Sequence, residues 1–289
     1  MGRGNWSDMD WSKHSATTQT QTRAQIFTQA NMSSELDPTK VKFRESRDSD
    51  QNPNSTPIIL CVDQTGSMGV LAEKIIKTGL GVIMSALYDR RPVSNPHIMC
   101  MCVGDSNSDD APLQVTQFEA TVEPIVAQVK KMFLEGNGGG NGGESYALAH
   151  LFTAAKTKCD GIKKGRKGWI FTIGDESPHL KISKEHAKKF LDIDCPEDVH
   201  VPSLIEHLGQ DWNIFHLIVK PVSTQNVVGN WRNILGERAI VVTDIDKLAE
   251  GIVSIIELTQ GAKPADVIKS WNGNTSIVVG EVCDQLVKV

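Results

Sequence analysis

Short apolar runs alternate along this chain with longer segments of helical periodicity, and this alternation is what most constrains its fold. The apolar runs, each bounded by turn residues as buried strands are, cover residues 58–62, 98–103, 169–173, 214–219 and 239–242. Apolar residues at helical spacing predict helices over 68–88, 122–134, 144–158, 183–191, 201–208 and 246–258. Strands that alternate with helices indicate an α/β fold with a doubly wound, mostly parallel sheet covered on both faces. Residues 113–118 alternate in polarity and predict one antiparallel edge strand.

Composition divides the chain into three parts. Residues 1–55 are polar, so this N-terminal extension is either disordered or wraps around the domain edge. We favour wrapping, with a helix over 19–32 in this extension. Its candidate anchors are Trp6, Trp11, Phe27 and Phe43. Residues 56–262 form the predicted α/β domain, and residues 263–289 form a C-terminal helical extension.

Charge and cysteine usage exclude several classes of function. A formal net charge of −5 argues against broad binding to nucleic acid or acidic membranes, which requires a basic patch. No apolar run is long enough to span a bilayer, and the N-terminus lacks the apolar region of a signal peptide. No CxxC pair occurs among the six cysteines, so neither a zinc site nor a disulfide framework is indicated. We therefore expect a cytoplasmic protein.

Three of the predicted strands end in aspartate, at Asp63, Asp105 and Asp175. In a doubly wound sheet these strand ends lie along one edge, where such sheets bind ligands. A turn can aim Asp63, Thr65 and Ser67 at one point, because they are spaced two residues apart. Oxygen ligands of this kind suit a hard cation such as Mg²⁺. A single Asp or Ser after a strand can equally cap the next helix, but three strand-end carboxylates favour an ion site.

The segment Asp63-Gln64-Thr65-Gly66-Ser67 resembles the Asp-x-Ser-x-Ser motif of von Willebrand factor type A (vWA) domains, with Thr65 in place of the first Ser. Asp175 matches the second Asp of that family's metal-ion-dependent adhesion site. The resemblance covers residues 57–261, and the wider pattern is similar to a bacterial or phage branch of the family.

The Gly-rich loop 136–143 lies where the vWA family places a metal-binding Thr, which this sequence lacks. Asn141 and Glu144 are the candidates for its role, with Asn137 and Ser145 also nearby.

The resemblance implies a site for Mg²⁺, with Mn²⁺ or Ca²⁺ as alternatives. Thr65 and Ser67 would coordinate the ion directly or through water. Asp63 and Asp175 would bind it mostly through water, and an Asp or Glu carboxylate of a protein partner would fill the open position. This is recognition rather than catalysis, so we expect no enzyme activity. Bacterial relatives are often paired with AAA+ ATPases of the MoxR type, which implies such a partner here.

Two alternatives stay open. The motif at Asp63 also resembles that of haloacid dehalogenases, in which the Asp is phosphorylated with the help of Mg²⁺. That family needs a Lys near a strand end between its acidic motifs, whereas here the candidates cluster before a strand, at Lys163, Lys164 and Lys167. The other alternative is a scaffold whose metal site is degenerate.

Overall fold

The central element is a six-stranded sheet, seen in a computed structural model that describes residues 4–64, 68–135, 143–219 and 226–286. The strands are β1 (Arg44–Ser46), β2 (Thr56–Asp63), β3 (Pro96–Val103), β4 (Leu113–Val115), β5 (Thr157–Cys159), β6 (Gly168–Gly174), β7 (Lys181–Ile182), β8 (Val199–His200), β9 (Trp212–Val219) and β10 (Ala239–Val242). The central sheet has the order β10-β9-β6-β2-β3-β4, and β1–β5 and β7–β8 form separate pairs. Within the central sheet only β3 and β4 pair antiparallel. The predicted fold class, including the antiparallel edge strand, is confirmed.

Helices cover both faces of the sheet. They are α1 (Asp8–Thr18), α2 (Arg23–Ile26), α3 (Gly69–Lys74), α4 (Leu80–Arg90), α5 (Val122–Val129), α6 (Tyr146–Lys156), α7 (Asp160–Lys163), α8 (Lys184–Leu191), α9 (Val201–Leu208), α10 (Val227–Leu235), α11 (Leu248–Thr259), α12 (Pro264–Lys269) and α13 (Asn274–Leu286). A π-helical turn, Ile75–Gly79, joins α3 to α4. None of the helices in the described ranges is long and apolar enough to cross a membrane.

The side chains of β2 show how the two layers of the core arise. Ile58, Leu60 and Val62 pack into a cluster with α3, α4, α5 and α11, whereas Ile59 and Cys61 pack into a second cluster with α6, α8, α9 and α10. Successive side chains of a strand point to opposite faces, so a strand covered by helices on both sides must be apolar throughout. This is why the run 58–62 predicts a central strand.

The N-terminal segment packs into the same core as the sheet. Trp6 and Phe27 are buried, as expected of anchors, and Ile26 and Leu36 join the same cluster. The prediction of one helix over 19–32 is wrong. Thr22 and Gln25 form a reciprocal capping box that starts the short helix α2, and the chain is extended again at Phe27.

Both terminal segments cover an edge of the central sheet. At β4, the Val115 N–H donates to the Leu36 carbonyl (2.9 Å), and Arg44 donates to the Val115 carbonyl (2.9 Å). At β10, the side-chain amide of Gln285 on α13 accepts from the Val241 N–H (2.8 Å) and donates to the Val241 carbonyl (3.0 Å). These contacts satisfy edge groups that would otherwise be available for pairing with another chain.

Candidate metal site

The site lies between β2 and β6, where the connections that follow these two strands lead to opposite sides of the sheet. Strands β2 and β6 are parallel neighbours, with Val62 opposite Ile173, so Asp63 and Asp175 end adjacent strands at one edge. From β2 the chain continues to β3 on one side, and from β6 it continues to β9 on the other. Such a switch point opens a crevice between the strand ends, and this is where open α/β sheets bind ligands.

Asp63 is fully buried and is held by a tyrosine. The Tyr146 hydroxyl donates a hydrogen bond of 2.9 Å to Oδ2 of Asp63. Gly174 makes room for this contact, because a β-carbon there would lie 2.0 Å from the Tyr146 oxygen and 3.0 Å from Cβ of Asp63. The last residue of β6 therefore has to be glycine for Tyr146 to reach the end of β2.

Negative charge accumulates around this contact. Burial raises the pKa of the Tyr146 phenol well above its ordinary value, and the charges of Asp63, Glu144 and Asp175 raise it further. Burial and the charge of Glu176 raise the pKa of Asp175, and only its own backbone acts in the opposite direction. One carboxylate oxygen of Glu176, Oε2, is buried without a hydrogen-bond partner among the described residues. A cation at this edge would relieve this concentration of charge, so the donor set fits a hard metal ion.

Glu144 is fixed between two loops at the same edge. Its N–H donates to the Ser177 carbonyl (2.9 Å), and its carbonyl accepts from the His179 N–H (3.3 Å). The next residue, Ser145, donates its N–H to the Gly104 carbonyl (3.1 Å). The start of α6 is thus tied to the loops after β3 and β6, and it carries the buried Glu144 side chain to the site.

Asp105, the third strand-end aspartate, holds these loops together. Its Oδ1 accepts from the hydroxyl of Ser145 (3.1 Å) and the side-chain amide of Asn107 (2.9 Å), and it lies 2.9 Å from Nε2 of His179. Asp105 is fully buried, and His179 is partly exposed. Since these groups belong to three different loops, Asp105 connects the loops after β3 and β6 and the segment before α6.

The structure brings together Asp63, Glu144 and Asp175 among the predicted site residues, and it does so around Tyr146. The other three, Thr65, Ser67 and Asn141, lie outside the described residues. Within the described ranges, no three His, Cys, Asp or Glu side chains stand close enough to hold a metal ion by themselves. An ion here would need further oxygen ligands.

Sequence reasoning missed an aromatic stack behind the carboxylates. Trp231 stacks on His216 with ring centroids 3.6 Å apart, and Tyr146 packs edge-on against His216 at 5.0 Å. The indole N–H of Trp231 donates to the Glu176 carbonyl (3.0 Å). Trp231 and Leu235 are buried residues of α10 that pack this helix onto the sheet. The sequence feature that could have identified Tyr146 is its place as the first residue of the helix after the Gly-rich loop.

Comparisons with known proteins find similarity only at the level of structure. No family model matches the chain, and no curated protein matches its sequence. Similar solved structures include two of the pilus adhesin SpaC from Lactobacillus rhamnosus GG. The open conformation has a TM-score of 0.46 and 11% identity, over 78% of this chain and 31% of the adhesin. The other has a TM-score of 0.46 and 10% identity, over 78% and 32%.

A third similar structure is a von Willebrand factor type A protein from Catenulispora acidiphila. It has a TM-score of 0.41 and 10% identity, over 73% of this chain and 44% of that one. The chain spans less than half the length of each of these structures. Similarities of this size assign no ligand, so the functional argument rests on the strand-end residues themselves.

Proposed function

We propose that this chain is a metal-dependent protein-interaction module that binds Mg²⁺ at the ends of β2 and β6 and, through it, an acidic residue of a protein partner. The observation that carries the proposal is the convergence of Asp63, Glu144 and Asp175 on Tyr146 at the switch point of the sheet. Bound Mg²⁺ would supply a Lewis-acidic position that attracts an incoming carboxylate.

The residues of the proposed site have different roles in binding the ion. Thr65 and Ser67 would supply neutral hydroxyl ligands, and the carboxylates of Asp63 and Asp175 would bind the ion mostly through water. Glu144 takes the place of the Thr that the vWA pattern has after the Gly-rich loop, because it is a buried carboxylate just before α6 whose charge acts on Tyr146, whereas the neighbouring Ser145 hydroxyl donates to Asp105. Few charged direct ligands would leave the ion able to attract the carboxylate of the partner.

The surroundings of Asp63 favour recognition over phosphoryl transfer. A nucleophilic Asp63 would have to reach a phosphorus atom, but its side chain is fully buried and bonded to Tyr146. The Lys cluster at 163–167 also precedes β6 and so lies at the opposite end of the strands from Asp63 and Asp175. Lys164 pairs with Asp48, and Lys167 donates to the Gly209 carbonyl.

The proposed partner carries an exposed Asp or Glu. An AAA+ ATPase of the MoxR type is the proposed example, and this choice rests on the resemblance to bacterial vWA proteins alone.

Magnesium titration with thermal melts tests the metal site. At a hundredfold excess over Kd, Mg²⁺ should stabilise the native protein by about 2.7 kcal/mol. Each kcal/mol should raise the Tm by about 2–4 °C. We expect this rise to be lost in Asp63→Asn and Asp175→Asn, which keep the size of each side chain. The control is Asp211→Asn, which removes an exposed carboxylate at the opposite end of β9 and should leave the response intact.

Three outcomes would contradict parts of this proposal. No response of the unmodified protein to Mg²⁺ or Mn²⁺ would favour a scaffold without a metal. An equal response of all variants would place the ion elsewhere. Hydrolysis of p-nitrophenyl phosphate that disappears in Asp63→Asn would favour phosphoryl transfer. Partner capture from a lysate in Mg²⁺, with release by chelator, should then identify the partner.

A further inference from the structure

We infer that Tyr146 and Trp231 are positioning residues for the metal site, since their polar atoms hold the two strand-end loops from one shared aromatic stack. This inference rests on the proposed function. It assigns a role to two fully buried side chains that no sequence motif marks. They lie on α6 and α10, and the Tyr146 ring packs edge-on against both Trp231 (5.4 Å) and His216 of β9 (5.0 Å).

The first contact fixes the carboxylate at the end of β2. The Tyr146 hydroxyl donates to Oδ2 of Asp63, and both side chains are fully buried. A carboxylate that accepts a hydrogen bond of 2.9 Å in a buried setting has little freedom to rotate. Tyr146 therefore sets the orientation in which Asp63 meets the residues that follow β2.

The stack fixes Tyr146 in turn. On one side, Gly174 leaves a notch that the Tyr146 hydroxyl fills. On the other, His216 packs edge-on against the Tyr146 ring, at an interplanar angle of 73°. The His216 ring is itself held by Trp231, with an interplanar angle of 9°, and its Nδ1 lies 2.8 Å from the Thr172 hydroxyl. The phenol has no alternative position that would preserve these contacts.

The second contact fixes the loop after β6. The Trp231 N–H donates to the Glu176 carbonyl (3.0 Å), and the neighbouring Asn230 amide donates to the Ser177 hydroxyl (2.9 Å). These bonds tie α10 to the segment directly after Asp175. The same stack thus contacts Asp63 through Tyr146 and the loop after Asp175 through Trp231.

Groups that orient metal ligands affect affinity without touching the ion. Loss of such an outer contact typically weakens metal binding by about 10- to 100-fold. A residue that only stabilises the fold would lower the Tm and leave the affinity of the folded protein unchanged. Affinity measured well below the Tm therefore separates positioning from structural support.

The experiment measures the dissociation constant of Mn²⁺ by electron paramagnetic resonance of the free ion, with Mg²⁺ competition, on the full chain. Tyr146→Phe removes only the hydroxyl and should weaken Mn²⁺ binding about tenfold. Trp231→Phe keeps a ring in the stack, removes the N–H donor, and should weaken binding severalfold. The matched control is Tyr88→Phe on α4, which removes the hydroxyl of the other tyrosine of the chain and should leave the affinity unchanged.

Gly174→Ala is a second test that keeps the Tyr146 hydroxyl but fills its notch, and it should weaken Mn²⁺ binding like Tyr146→Phe. Unchanged affinity in Tyr146→Phe, Trp231→Phe and Gly174→Ala, with the unmodified protein binding Mn²⁺, would overturn the positioning role and leave the proposed function standing. Failure of the unmodified protein to bind Mn²⁺ or Mg²⁺ would overturn the proposed function, and the positioning role with it.

Discussion

The two aspartates that end adjacent strands have different surroundings. Asp63 is fully buried and restrained by Tyr146, whereas Asp175 is half-buried next to Glu176. Desolvation disfavours the charged form of a carboxyl group, and a second negative charge adds to that effect. Asp175 is thus the carboxyl group whose pKa burial and the charge of Glu176 raise, and Asp63 is the one whose orientation a hydrogen bond fixes.

Two buried histidines lie in the cluster behind the site. Burial lowers the pKa of His150 to about 4, and burial together with His150 lowers that of His216 well below its ordinary value. Both ring nitrogens of His150 lack a hydrogen-bond partner among the described residues. Both rings are therefore neutral in the folded protein at neutral pH.

Acid should therefore destabilise the fold through His150. Below a pH of about 6.5, His150 binds a proton in the unfolded chain but stays neutral in the folded chain. The free energy of unfolding therefore falls between pH of about 6.5 and pH of about 4. The slope is about 1.4 kcal/mol per pH unit. His150→Leu should lose about 2 kcal/mol less than the unmodified protein between pH 6.5 and 5, measured by urea unfolding. The control, His207→Gln at an exposed position of α9, should keep the full loss; an equal loss in His150→Leu would contradict the assignment.

At the scale of elements, α1 is docked on the π-helical turn between α3 and α4. A π turn interrupts the regular hydrogen bonds of a helix. His14 Nε2 lies 3.3 Å from the Ile76 carbonyl, and the Ser15 hydroxyl donates to the Lys77 carbonyl (3.4 Å). Side chains of α1 thus contact carbonyl groups of the π-helical turn. This turn belongs to the helical segment that directly follows the predicted metal-binding motif 63–67.

Trp11 of α1 packs against Gly81 of α4, and a substitution at Gly81 can remove this contact. A β-carbon at Gly81 would lie 1.9 Å from the indole nitrogen of Trp11, so Gly81→Ala should displace α1. Alanine favours a helix over glycine by about 1 kcal/mol, so α4 itself should stay intact. We expect faster amide hydrogen exchange and proteolysis within residues 8–18. The control is Gly251→Ala on α11, where the nearest atom is 3.9 Å away; unchanged exchange in Gly81→Ala would show that Trp11 is not needed for docking.

For the whole molecule, the terminal segments complete the sheet that carries the site. Leu36 and Arg44 cover β4, and Gln285 covers β10. Ile26, Phe27 and Leu36 also belong to the central core cluster. The predicted parts 1–55, 56–262 and 263–289 therefore share contacts that stabilise one sheet.

A chain of residues 56–262 alone should be much less stable and should self-associate. Each large apolar side chain that is lost contributes about 1.5–3 kcal/mol, and a whole domain has only about 5–15 kcal/mol. Both uncovered edges would also be free to pair with other copies. Thermal melts and size-exclusion chromatography, compared with the full chain, measure this. A monomer with an unchanged Tm would show that 56–262 is an independent domain.

The sequence by itself determined the six strands of the central sheet, the main helices between them, and the positions of Asp63 and Asp175 at strand ends. The reason is that burial on both faces of a sheet requires apolar runs, and the polar residues that follow them mark the strand ends. It did not predict the short helix α2, because the local capping box at Thr22 overrides the apolar spacing of 19–32.

Only the tertiary structure decided what surrounds the strand ends. Tyr146 and Trp231 are distant in sequence from Asp63 and look like ordinary core residues, and their polar contacts appear only when α6 and α10 pack on the sheet. The need for glycine at position 174 likewise depends on a side chain from another element. Periodicity records which face of an element is buried, but the partner of a buried polar atom depends on distances across the fold, which no local pattern contains.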